Sequence, residues 1–120
     1  MTTMEQVLAR CQQSRADGLA EPLLARWLLE LEGRIYEEVT GPDEPDRLPV
    51  TRWPEQGDRP LLADAPYEGL YELWVLANAE FELGNYEDYN ALTARFEALY
   101  RAFRAHWRRH RRPAPARVRV

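Results

Sequence analysis

Five prolines, Pro42, Pro45, Pro49, Pro54 and Pro60, crowd residues 40–65 together with Gly41 and Gly57. Proline lacks an N–H and fixes its own φ, so this stretch can hold neither a long helix nor a central strand. Regular structure must therefore be built before it or after it. A loop of ~25 residues inside a compact domain is uncommon and is usually functional or disordered. Leu48, Val50 and Trp53 are too apolar for a spacer, so an extended arm is expected, with room for a short piece of edge strand.

Helical periodicity fills both flanks. Met4, Val7, Leu8 and Cys11 predict a first helix over residues 3–15, capped by Thr2 or Thr3 and ended at Asp17-Gly18. Leu24, Trp27, Leu28, Leu31, Ile35 and Val39 predict a second over 21–39, with Pro22 at its start, where a missing N–H costs nothing. Gly33 interrupts that helix at a cost near ~1 kcal/mol relative to alanine, and close approach of another helix would explain it. Beyond the arm, Asp64 before Pro66 can cap a third helix running to about Leu83, with Tyr67, Leu70, Tyr71, Trp74, Ala77, Asn78 and Phe81 on one face. Gly84 suits a helix C-terminus and Asn85 an N-cap, with Asp88 three positions on.

The fourth helix, Tyr86 to about His110, aligns Tyr89, Leu92, Phe96, Leu99, Tyr100, Phe103 and Trp107. Two long helices joined by Gly-Asn must fold back as an antiparallel hairpin. At 1.5 Å per residue the fourth helix spans roughly 37 Å, about 10 Å more than the third, so its end is expected to project. Pro113 and Pro115 stop it. The expected fold is all-α: a small helical bundle in one domain, residues 1–112, with a long C-terminal hairpin, a proline-rich arm over 40–65 and a tail, 113–120.

Composition narrows the class. A chain of 120 residues suits one domain, and one of this size buries roughly two-thirds of its unfolded surface. With 45% hydrophobic and 30% charged residues it reads as globular rather than disordered. No apolar run approaches the ~20 residues that cross a bilayer, and the first residues lack the basic and apolar regions of a signal peptide. Cys11 is the single cysteine, so no internal disulfide is possible and a reducing compartment, the cytoplasm, is expected.

The net charge of −4 hides an asymmetry. Residues 1–100 hold twenty acidic side chains against eight arginines, while residues 101–120 hold eight arginines and no acid. Such a split suggests a basic end that seeks an acidic partner, or head-to-tail association between copies. The chain has no lysine, so the choice of arginine is not in itself evidence of bidentate recognition.

Signs of catalysis are sparse. Ser14 is the only serine and has no nearby histidine to activate it. Cys11 on an apolar helical face reads as a small core residue. No glycine-rich phosphate loop occurs. His106 and His110 share a helical face, but two ligands do not make a metal site, and Arg104, Arg108, Arg109, Arg111 and Arg112 would repel a cation. Glu37-Glu38 and Glu87-Asp88 are adjacent pairs that point in different directions on a helix, which does not suit paired acid/base work. No catalytic residue, cofactor or metal site is read. The candidates for partner binding are Arg101, Arg104, Arg108, Arg109, Arg111 and Arg112 at the basic end, and Trp53 in the arm, which either tucks onto its own domain or anchors in a partner pocket. The arginines suit an acidic protein surface or nucleic acid. Sequence-specific DNA reading is disfavoured by an acidic body that phosphates would repel.

Two stretches carry a resemblance. Arg26-Trp-Leu-Leu-Glu-Leu-Glu-Gly-Arg-Ile-Tyr-Glu-Glu-Val39 resembles the R-W-L-x-E-L-[DE]-G-R-I-[YF] pattern of small proteins from tailed-phage and prophage structural modules. Leu62 to Asn90 resembles a second element of the same proteins, matched by Pro66-Tyr67, Leu70-Tyr71, Trp74 and Gly84-Asn-Tyr-Glu-Asp-Tyr-Asn90. The ordered pair spans about residues 20–110 and is similar to the head–tail connector (adaptor) proteins of long-tailed phages. The resemblance implies a helical protomer that forms a ring in the virion and can be a monomer in solution until a portal templates it. The ring would lie between a portal protein and a tail-side connector or stopper protein, extending the channel through which DNA passes without sequence-specific binding. It implies no catalytic residues. Tyr67, Tyr71, Trp74, Tyr86, Tyr89 and Asn90 fall on motif positions with packing and hairpin-forming roles, and the arginine-rich end departs from the pattern.

Two rival readings remain. Leu83-Gly-Asn-Tyr-Glu-Asp-Tyr-Asn-Ala91 also looks like the turn of a tetratricopeptide hairpin, which would make a protein-binding adaptor. Such repeats need about three stacked copies, and the position one period upstream falls in the proline-rich arm. The other rival is a small regulator whose basic C-terminus contacts nucleic acid.

Overall fold

The computed structural model describes residues 1–13 and 18–110. The described residues form four α-helices, one π-helical turn and no strand, an all-α fold. Helix α1 spans Met4–Gln12. Thr3 caps it through a reciprocal box: its hydroxyl accepts from Gln6 N (3.4 Å) and the Gln6 side chain accepts from Thr3 N (3.1 Å). Helix α2 spans Glu21–Ile35 and buries Leu24, Trp27, Leu28, Leu31 and Ile35. The π-helical turn Tyr36–Thr40 carries it on, so the chain stays helical through Val39 as the periodicity predicts. Gly41 closes that turn, its N–H 2.7 Å from the Tyr36 carbonyl. A Cβ at Gly41 would lie 2.4 Å from the same oxygen, so the residue must be glycine. Gly33 is a different case. A Cβ there would meet nothing within 4 Å, and the expected close approach of another helix is absent.

The expected arm is present as residues 41–68, which form no strand and are laid against the body. Val50, Leu61, Leu62 and Ala63 are buried, and the only pairing among the described residues is an isolated antiparallel bridge, Thr3 to Pro60. Glu5 N donates to Gly57 O (3.2 Å) and Leu61 N to Thr2 O (2.8 Å), tying the arm to the start of α1. At its other end Tyr36 Oη donates to Pro45 O (2.7 Å).

Helix α3 spans Gly69–Glu82 and starts later than Asp64 suggests. Residues 64–70 form i→i+3 turns, Tyr67 N to Asp64 O and Leu70 N to Tyr67 O, and the Asp64 side chain accepts from Ala65 N and from the Thr2 hydroxyl. The α3 end is a Schellman cap: Asn85 N donates to Glu80 O (2.8 Å), Gly84 N to Phe81 O (3.1 Å), and Gly84 has φ +82°. Helix α4, Tyr86–His110, folds back along α3. The Asn85 side-chain N–H donates to Glu80 Oε1 (2.8 Å), while the Asn85 backbone carbonyl accepts from Tyr89 N (3.0 Å) in the first turn of α4.

Helix α3 is the middle layer, with α1 and α2 packed on it and α4 as well, while the π-turn also reaches α4. The expected overhang of α4 is shorter than its length suggests. Phe103 and His106 pack on Tyr67, with ring centroids 5.6 and 5.2 Å apart. Trp107 Nε1 donates to Asp43 Oδ2 (2.8 Å). The helix is thus docked on the π-turn and the arm through Trp107. The expected helix stop at Asp17, Ser14, Arg111, Arg112 and the tail 113–120 lie outside the described residues.

Candidate assembly surfaces

One polar group bonded to several parts of the core is not singled out by the periodicity. Glu32 lies on the buried stripe of α2, between Leu28 and Ile35, and is fully buried. Its carboxylate accepts from Val50 N (3.0 Å), Leu62 N (3.2 Å) and Tyr71 Oη (2.6 Å). Tyr71 Oη in turn accepts from Ala63 N (2.9 Å). Arg47 spans the same strip, donating to the carbonyl of Leu62 (3.3 Å). Burial pushes the Glu32 carboxyl above its ordinary 4.5, opposed by those hydrogen bonds and by the Arg47 charge. Burial and the adjacent Glu32 charge push the Tyr71 phenol well up. The arrangement joins the arm to α2 and α3. A signal for it exists in the sequence: a glutamate at a position where the periodicity demands an apolar side chain.

A second cluster joins α2 to the hairpin. Arg34 Nε pairs with Glu38 Oε1 (3.1 Å), and its guanidinium lies 4.6 Å from the Tyr100 ring centroid and 5.7 Å from that of Phe96. Tyr100 Oη donates to Glu38 Oε1 (2.8 Å), and this bond, with Arg34, holds the Glu38 carboxyl below its ordinary value. The cleft beside Arg34, lined by Trp74, Asn78, Tyr89 and Phe96, measures about 110 Å³. Small-molecule sites run to roughly 300–1,000 Å³, so this is a packing crevice in scale.

The candidate partner-binding residues separate into two places. Trp53 is half-buried on its own chain, its Nε1 donating to Glu21 (3.2 Å) and its ring filling the space beside Gly57. It shares no partner with the arginines. Arg101, Arg108 and Arg109 are exposed on the last turns of α4, and Arg104 is half-buried with its guanidinium 5.9 Å from the Tyr100 ring. Between them, Trp107, Arg104 and Arg108 face Glu38, Val39, Pro42 and Asp43 across a recess of about 100 Å³. His110 Nδ1 lies 2.9 Å from the His106 carbonyl, and the two rings stack at 4.1 Å. Among the described residues no three His, Cys, Asp or Glu side chains are grouped to hold a metal ion. Cys11 is buried, and burial followed by the Glu72 charge pushes its thiol up to about 12, far from a reactive thiolate.

Periodicity alone assigns the other end of the hairpin to packing, and there the structure differs. Phe81, Leu83 and Tyr86 are 53%, 52% and 58% exposed. Phe81, Tyr86 and Tyr89 form one patch, with Phe81 edge-on to both Tyr86 (5.4 Å) and Tyr89 (5.1 Å). Glu82, Glu87 and Asp88, on the same helix ends, are exposed as well. The available signal is position: residues beside a two-residue turn have only one neighbouring helix.

No helix among the described residues is long and apolar enough to cross a membrane. Compared with protein-family models, with curated proteins and with solved structures, the chain matches none.

Proposed function

We propose that this chain is a structural subunit of a phage or prophage head–tail junction, with no catalytic step of its own. It would assemble as a ring between portal and tail-side proteins, inside the bacterial cytoplasm during morphogenesis and in the virion afterwards. The observation that carries the reading is the charge along one braced hairpin. Residues 81–94 hold exposed Glu82, Glu87 and Asp88 without an arginine, and residues 98–110 hold four arginines without an acid. A ring requires heterologous contacts, one patch meeting a different patch on its neighbour, and a rod charged oppositely at its ends supplies both. The remaining acidic surface would let DNA slide through, since contacts to phosphate are what retain it.

The ordered resemblance supports the same reading, and its residues have packing work here. Glu32 and Arg34 of the Leu31-Glu-Gly-Arg-Ile35 stretch hold the arm and the hairpin, Tyr71 completes the Glu32 cluster, and Trp74 packs on Phe96 at 5.2 Å. The test is to mix the purified chain with the portal encoded in the same gene cluster and image it by electron microscopy. A stoichiometric collar on the portal's tail side is expected. A bare portal, shown competent for another connector, would overturn the reading. Reversing the charges of Arg108, Arg109, Arg111 and Arg112 is expected to abolish the collar while the free protein stays helical.

A further inference from the structure

We propose that the acidic aromatic tip of the hairpin in one copy docks on the arginine-bearing end of α4 in the next copy. The proposal deepens the ring-subunit reading, on which it rests for the closure of the assembly. Three observations select this occupant.

The first is the tip itself. Phe81 and Tyr86 expose more than half of their surface with their rings in contact, and Tyr89 extends them into an apolar patch of the kind that marks an interaction site. The Schellman cap at Gly84 and the edge-on ring contacts hold the patch in one arrangement. Pre-ordered aromatic side chains lose little entropy on binding and are common anchors.

The second is charge. Glu82, Glu87 and Asp88 are exposed on the same helix ends, so pairing of two tips would bring like charges together as water leaves. Exposed Arg101, Arg108 and Arg109 offer the opposite sign on the same molecule.

The third is shape. Beside those arginines an open recess runs between Trp107, Val39 and Pro42, lined also by Arg104, Arg108, Glu38 and Asp43, the two acids being bonded to Tyr100 and Trp107. Tyr86 and Arg108 stand about 33 Å apart along α4 at 1.5 Å per residue, so one copy cannot satisfy both surfaces by itself. Each contact uses one tip and one end and leaves one of each free, which propagates to a ring or a chain.

The experiment uses the full chain at high concentration and low salt, with Tyr86→Cys and Arg108→Cys variants oxidised separately and mixed. Cys11 is buried with its thiol pushed up to about 12, so background cross-linking through it is slow. Mixed samples are expected to give a disulfide dimer joining position 86 of one copy to position 108 of the other. The double variant should give a ladder, while Tyr86→Cys alone stays monomeric. A predominant tip-to-tip dimer, or no cross-link in samples whose circular dichroism remains helical, would overturn the proposal. In sedimentation, Glu82→Arg with Glu87→Arg, or Arg101→Glu with Arg108→Glu, should each weaken self-association at least ~10-fold, and mixing the two variants should restore it. Association indifferent to these reversals would also overturn the contact. A portal-bound collar without the tip-to-end cross-link would overturn this contact alone. Cross-linked chains that ignore the portal would overturn the connector reading alone.

Discussion

Two regions of this molecule use the same materials, tyrosines with glutamates, to opposite ends. Around Glu32 the carboxylate and the Tyr71 phenol are buried and every bond runs to another part of the chain. Around Gly84 the tyrosine and phenylalanine rings face outward and the acids stand in solvent. Coverage separates them. Helices α1 and α2 and the arm lie over the first region, whereas the tip consists of two helix ends with no third layer. A carboxylate under such cover must be fully satisfied, because a buried unpaired polar group costs more than a hydrogen bond returns.

The largest effect should come from removing that carboxylate. Glu32→Ala leaves Val50 N, Leu62 N and Tyr71 Oη without their acceptor inside the core. Breaking a buried charged cluster from one side costs about 3–5 kcal/mol, a large part of the stability of a domain this size. Urea denaturation should show a folded but much weakened protein, or none that folds. A loss under about 1 kcal/mol would mean that the arm is held by burial of Val50, Leu61 and Leu62 alone.

Next comes a matched pair of aromatic truncations. Phe103 is 4% exposed between Tyr67 and Tyr100, so Phe103→Ala should lose about 3–5 kcal/mol. Phe81 is 53% exposed, and Phe81→Ala should lose under about 1 kcal/mol in the unassembled protein. Equal losses in thermal or urea unfolding would show that the tip is part of the core and would break the comparison.

This contrast also shows what is legible in the sequence. Periods of 3.6 place all four helices, and Gly84-Asn85 places the hairpin, because those signals are local. The role of residues 41–68 is not legible. The bonds that pin them run from Glu32 to Val50 and Leu62 and from Tyr36 to Pro45, partners that no local pattern pairs. Periodicity puts Phe81 and Trp74 on one stripe, yet a stripe says nothing about where the covering layer ends. The basic end is visible as composition, but its docking through Trp107 on Asp43 is not.

Acidity offers a smaller test of the covered region. The folded Glu32 carboxyl lies above its ordinary 4.5, so the folded state binds that proton more tightly than the unfolded chain. Its contribution to stability is therefore full below pH 4.5 and is lost as pH rises through the folded value. Glu38 runs the other way: held low by Tyr100 and Arg34, it favours the fold above 4.5 and loses that as pH falls through its folded value. Urea midpoints of the wild type and Glu32→Gln, measured from acid to neutral pH, should diverge, with the wild type losing ground to the variant as pH rises. Parallel curves would mean that the three donors fully offset the burial of the charge.

The smallest effect concerns two glycines at the end of α2, where the comparison of covered and open positions repeats within a short stretch of chain. At Gly41 a Cβ would lie 2.4 Å from the Tyr36 carbonyl oxygen, a backbone atom that cannot move without opening the π-turn. At Gly33 the same atom would meet nothing within 4 Å. The unfolded chain gives up more freedom at glycine than at alanine, and a helix interior returns nothing for it. Gly33→Ala should therefore stabilise the free protein by about 0.5–1 kcal/mol in urea unfolding. If that gain appears in the monomer but the variant fails to form the collar, the open space over Gly33 is where a neighbour's backbone comes close. If stability and assembly both hold, the glycine is tolerated in the helix and neither surface needs it.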